Sequence, residues 1–244
     1  MEIKEFTTTY LELVKEENKN LVNIAFDEML SGQYEEATGH FDKLYLQDSN
    51  DYMSYFFRAY CKSHCGKRGD VYADSQKLTS AFNLAISKAL GISKNLDTEV
   101  YLMISMYKDA MDNLAYNAVE EVHVDNNGKT YKTNPTKSKI KNECNENLLA
   151  SMKDNAETFK TLPKVKEYVI NYLKIEFNAS IKVSVGKCRK QADVLVLYTP
   201  EVAPELEEKI NEQIAKDKRK LMIVGIAMGV VLLFSLIGGL LGGC

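Results

Sequence analysis

Apolar side chains recur every three or four positions through most of this chain, the spacing that gathers them on one side of an α-helix. Ile3, Phe6, Tyr10, Leu13 and Val14 form one such face, and Leu21, Ile24, Ala25, Met29 and Leu30 continue it to a break at Ser31-Gly32. A second helix is predicted from Tyr34 to about Leu46, with Ala37, Phe41 and Leu44 inward. Asp48-Ser49-Asn50-Asp51 supplies turn and cap chemistry for a third, which carries Tyr52, Tyr55, Phe56, Ala59 and Tyr60 and stops near Gly66 to Gly69. A fourth helix is expected from about Val71 to Leu90, with Gly91 as its C-cap. A fifth runs from about Asp97 to Glu121 on the stripe Val100, Met103, Ile104, Tyr107, Met111, Leu114 and Ala118.

The periodicity changes near Asn126-Asn127-Gly128, where Val122, Val124 and Thr130 suggest a short hairpin or an exposed loop. Helices resume from about Ser138 to Thr161 and from Pro163 to about Tyr198. Thr199-Pro200-Glu201 reads as another helix start, threonine as cap and proline in the first turn. Val202, Leu206, Ile210 and Ile214 then repeat every four residues, a narrow stripe suited to a stalk helix. The predicted organisation is a helical region over 1–121, a loop or short hairpin over 122–137 and a second helical region over 138–199. A juxtamembrane stalk over 200–220 and a transmembrane helix over 221–241 complete it.

The last assignment rests on Leu221 to Leu241, which holds no charged residue and has Ser235 as its one polar side chain. A helix of about twenty residues spans about 30 Å, the thickness of a bilayer's hydrocarbon core. Lys216, Lys218, Arg219 and Lys220 precede the run, with only Asp217 opposing them, and Gly242-Gly243-Cys244 follows it. Positive flanks stay on the cytoplasmic side, so the expected topology is single-pass with the N-terminal domain in the cytoplasm. Anionic lipid would be attracted to the same flank. No apolar run of signal-peptide length occurs in Met1 to Lys15, and insertion would follow synthesis of the body. Gly225, Gly229, Ser235, Gly239 and Gly243 are spaced for close helix–helix packing within the membrane, a route to self-association.

Composition changes this picture little. Hydrophobic residues make up 45% and charged residues 27%, which suits a folded body, and a net charge of -3 gives no reason to expect a nucleic-acid partner. The five cysteines are odd in number and irregularly spaced, so reduced thiols are expected rather than a disulfide frame.

One segment resembles a tetratricopeptide repeat (TPR), a pair of antiparallel helices about 34 residues long. Over residues 18 to 51 the matching positions are Leu21, Ile24 and Ala25, then Gly32-Gln33-Tyr34-Glu35-Glu36-Ala37, then Phe41, Leu44 and Asp48-Ser49-Asn50. Ser49 stands where the family has proline, and the aromatic late in the first helix is missing. Tyr52 to Leu90 keeps Ala59 and the face from Ala81-Phe82 to Ala89-Leu90, with an insertion over Lys62 to Asp70. The resemblance implies an all-α array of helical hairpins, with a plain helical bundle as the other arrangement. It also implies a groove for a peptide or helix, lined by residues such as Asn23, Asp27, Tyr55 and Arg58.

Catalytic signals are sparse. Cys61, His64 and Cys65 share a helical face but lack a fourth metal ligand, and Glu121, His123 and Asp125 alternate as on a solvated strand. Lys182, Lys187, Arg189 and Lys190 form a mild basic cluster read as a solvated face. No phosphate-cradling glycine loop or nucleophile elbow occurs. The chain is therefore expected to be no enzyme, with no metal and no cofactor. The expected function is a membrane-anchored scaffold or adaptor binding a protein partner. The alternative is a structural subunit of a membrane complex, assembled through the glycine-rich helix.

Overall fold

The computed structural model describes residues 7, 8, 10, 11, 14–65, 71–126, 128–220 and 222, without the side chain of Tyr131. Among the described residues it is all-α apart from one β-hairpin. The helices are α1 (Lys19–Leu30), α2 (Tyr34–Gln47), α3 (Tyr52–His64), α4 (Val71–Ile92), α5 (Leu96–Asn117), α6 (Pro135–Asp154), α7 (Ala156–Phe159), α8 (Pro163–Ser180) and α9 (Val185–Tyr198). A 3-10 turn, Pro200–Val202, leads into α10 over residues 203–220. Among the described residues no helix is long and apolar enough to cross a membrane. The predicted span 221–241 lies outside them apart from Met222, as do Gly225, Gly229, Ser235, Gly239 and Gly243.

The chain divides into two compact units, 1–168 and 169–244. In the first, α1 to α6 form an array in which each helix packs on the next, while α3 also meets α5 and α4 meets α6. The turn between α1 and α2 needs its glycine: Gly32 has φ +77°, the left-handed conformation that a Cβ disfavours. There Gly32 N donates to Met29 O (3.1 Å) and Gln33 N to Glu28 O (2.8 Å), the paired bonds that satisfy a helix's last carbonyls. Asp51 caps α3 by accepting from Ser54 N at 3.1 Å, and its carboxylate also takes the hydroxyl of buried Tyr10. Asn134 caps α6 from Lys137 N (2.8 Å), with Pro135 in the first turn.

The core at the α1–α3 junction is aromatic. Phe26 lies 5.3 Å from Phe41 and 4.8 Å from Phe57, ring centre to ring centre, and Phe41 stacks on Phe57 at 5.3 Å. Phe82 of α4 stacks on Tyr107 of α5 at 4.3 Å. The inward face of α1 is Val22, Ala25, Phe26 and Met29. Ile24 and Leu30, expected inward, are 38% and 46% exposed. Burying Phe26, the largest apolar side chain of α1, rotates the helix toward Val22 and Phe26, while Ala25 and Met29 of the expected stripe stay inward.

Other boundaries differ from expectation for local reasons. Gly91 does not end α4, which continues to Ile92 without a positive φ at Gly91. α5 ends at Asn117 rather than Glu121, because Glu121–Val124 pairs antiparallel with Thr130–Thr133 as β1 and β2. Gly128, at φ +76°, lies between the strands. The helix expected to end at Thr161 breaks at Asn155, whose side chain donates to Ser151 O at 2.9 Å.

In the second unit, the helix expected to run unbroken to Tyr198 is interrupted over residues 181–184, and Ser184 caps α9 from Lys187 N (3.3 Å). Thr199 does not cap the 3-10 turn after it; its hydroxyl donates back to Leu195 O at 3.1 Å. Along α10 the stripe is inward at Leu206 and Ile210, and Arg189 of α9 lies 3.9 Å from Glu207.

Candidate functional site

Short connections place α2 and α3 antiparallel, so residues equidistant from Asn50 face one another. Tyr45 and Tyr55 meet with ring centres 5.0 Å apart. One turn further from the connection, Arg58 Nε lies 3.0 Å from Asp42 Oδ1, with the two side chains 38% and 42% exposed. Solvent screens such a pair, so it orients the guanidinium more than it stabilises the fold. The result is a half-exposed patch of two tyrosines, an arginine and an aspartate. Tyrosine and arginine dominate binding energy at protein interfaces, because each offers a large, stiff contact area with a polar end.

Of the four residues expected in a groove, Tyr55 and Arg58 belong to this patch. Asn23 and Asp27 lie on the exposed side of α1, and among the described residues no hydrogen bond or ion pair joins them to Tyr55 or Arg58. Asp42 and Tyr45 were missed in the sequence. Their symmetric spacing about the Asp48–Asp51 turn was the available signal.

A second cluster lies where α2, α3 and α5 converge. The His64 ring is packed by Tyr34 (4.7 Å) and Tyr60 (4.5 Å). Its Nδ1 lies 3.0 Å from Tyr60 O, and its Nε2 lies 3.3 Å from Asp109, which also accepts from the Tyr60 hydroxyl at 3.2 Å. Burial, then the Asp109 charge, pushes the Tyr60 phenol well above its ordinary range. The cluster ties three helices together. Cys61, one turn before Cys65, is fully buried, and burial followed by the neighbouring Cys65 raises its thiol. Cys65 Sγ lies 3.4 Å from Cys61 O. Among the described residues no group of three or more His, Cys, Asp or Glu is placed to hold a metal.

A cleft of about 320 Å³ opens between α4 and α6. Its wall includes an amide pair in which Asn83 Nδ2 donates to Asn147 Oδ1 (3.0 Å) and Asn147 Nδ2 to Asn83 Oδ1 (3.2 Å). Each amide satisfies the other, so the pair serves to join the helices.

The basic residues expected at a membrane surface close α10. Lys216 reaches Glu212 at 3.4 Å, while Lys218, Arg219 and Lys220 are exposed. Lys187 and Lys190 of the milder basic cluster are exposed on α9, in keeping with a solvated face. No known family, curated protein or solved structure matches this chain.

Proposed function

We propose that this chain is a membrane-tethered, TPR-like helical scaffold that recruits a protein partner to the cytoplasmic face of a membrane. The observation that carries the reading is the uncharged run 221–241 directly after the exposed cations Lys218, Arg219 and Lys220 at the end of α10. A cationic collar before an apolar segment favours insertion with the collar left on the cytoplasmic side. Tethering confines the helical array to a thin layer, which raises its effective concentration toward anything else held there. The Tyr45–Tyr55 and Asp42–Arg58 patch supplies the recognition chemistry. The role is binding rather than catalysis.

The test is affinity capture by the full chain in native membranes, compared with the Tyr55→Ala/Arg58→Glu double variant and with Asn23→Ala/Asp27→Ala. Loss of the same captured protein in the first variant supports the patch. An identical captured set in all three forms overturns recruitment through it. The spacing of Gly225, Gly229, Ser235, Gly239 and Gly243 favours a second reading, a structural subunit. Under it, Gly225→Leu/Gly229→Leu removes the co-purifying protein and the patch variants leave it bound.

A further inference from the structure

Strand alternation gives the β1–β2 hairpin two unlike faces. Val122 and Val124 share one face with their cross-strand partners Lys132 and Thr130. The other face carries Glu121 and His123, whose Nε2 lies 2.7 Å from Thr133 Oγ1 and 3.5 Å from Glu121. Val122 and Val124 are 61% and 66% exposed, and Val119, just before the strand, is 68% exposed. A two-stranded hairpin is marginal in water, and three exposed valines add a cost that contact with an apolar phase would relieve.

Charge says what that phase is. From Lys129 to Lys141 the chain carries five lysines, against the three acidic residues Glu120, Glu121 and Asp125 on the β1 side of the hairpin, a local excess of positive charge. Lys137, Lys139 and Lys141 sit in the first two turns of α6, where the helix dipole is already positive and cations are disfavoured. Lys139 is held over the Tyr72 ring at 3.7 Å and Lys132 pairs with Glu120 at 2.9 Å, while Lys129 and Lys141 are exposed. Valines beside a concentration of positive charge complement a surface that is negative outside and apolar beneath. Nucleic acid would satisfy the lysines but leave the valines in water.

We propose that the β1–β2 hairpin docks on an anionic phospholipid bilayer, its Val122/Val124 face entering the interface while Lys129 and Lys141 meet headgroup phosphates. The inference rests on the membrane reading above for the choice of a bilayer, and on the hairpin's own geometry for the contact.

The chain contains no tryptophan, so a single introduced one reports its own surroundings. Full-length Val122→Trp is reconstituted into phosphatidylcholine vesicles with and without phosphatidylserine, and quenching by brominated acyl chains is read. Val124→Trp serves as a second reporter on the same face, and Phe234→Trp reports on the apolar run. The expected result is a blue shift and quenching at both valine positions in phosphatidylserine vesicles. Lys129→Gln/Lys141→Gln should weaken this engagement about thirty-fold, from the attraction of two lysines to an anionic surface. Valine-position reporters that stay solvent-like while Phe234→Trp is quenched overturn the docking and leave the membrane span standing. Quenching at the valines without quenching at Phe234→Trp supports the docking and removes the span. A blue shift that grows with protein concentration in the absence of vesicles assigns the face to a second copy of the chain and overturns the proposal.

Discussion

Asp97 caps a helix that starts far along the chain at Pro163. Its Oδ1 accepts from Val165 N at 3.0 Å and its Oδ2 from Lys164 N at 3.1 Å. The first turn of α8 thus receives its acceptor from the start of α5, which ties the two helix starts together. Losing a cap of this kind costs about 1 kcal/mol. Asp97→Ala should lower unfolding stability by that amount in urea titrations and Asp97→Asn by less. An unchanged midpoint for the alanine variant would show that water replaces the carboxylate.

The Phe26, Phe41 and Phe57 triad joins three helices at full burial, so shortening one ring leaves a cavity its neighbours cannot fill. Phe57→Ala should cost about 3–5 kcal/mol, a large share of a typical domain's stability. Thermal unfolding followed by circular dichroism checks this. A loss under about 1 kcal/mol would mean that the site collapses around the hole.

Glu99 is 1% exposed and accepts from the Tyr52 hydroxyl at 3.0 Å. Burial holds its carboxyl above the ordinary range, against hydrogen bonds from Ser93 and Tyr52 that lower it. The folded protein therefore binds this proton more tightly than the unfolded chain. Its stabilising effect is complete below the ordinary value of 4.5 and is lost as pH rises through the elevated folded value. Glu99→Gln should accordingly be more stable than the parent near neutral pH, with the advantage shrinking on acidification. Urea titrations across that range test the sign, and a pH-independent difference would refute it.

Arg58 and Asp42 are paired but well exposed, and such pairs contribute under about 1 kcal/mol. Arg58→Ala should leave the unfolding midpoint nearly unchanged, with any effect fading at high salt. A destabilisation of several kcal/mol would mean that the guanidinium is structural, and Arg58 would then be unsuitable as a probe of partner binding.

Much of the first unit could be read along the chain because its signals are local. The α5 stripe from Val100 to Leu114 is buried as spaced, with Ala118 just past the helix end buried too, and Gly32 sits where a left-handed turn demands glycine. The misreadings came where two local signals competed. Ala25 and Met29 are inward either way, Leu21 and Ile24 extend that face to one side and Val22 and Phe26 to the other, and only contact with Phe41 and Phe57 selects between them. Of the candidate patch, Tyr55 and Arg58 were legible as residue types, but Asp42 and Tyr45 became their partners through the antiparallel fold-back of α2 on α3.

By itself the sequence determined the helical class, the punctuation at Gly32, and the uncharged run 221–241 with its basic collar. Each depends on neighbours within a turn or two, or on transfer of a contiguous segment out of water. Tertiary structure alone decided which face of α1 is buried, that Asp97 caps α8 across 68 residues, and that Lys132 stands opposite Val122 across the hairpin. Those outcomes depend on which distant surfaces meet, and helical or strand periodicity carries no information about that until the chain has folded back on itself.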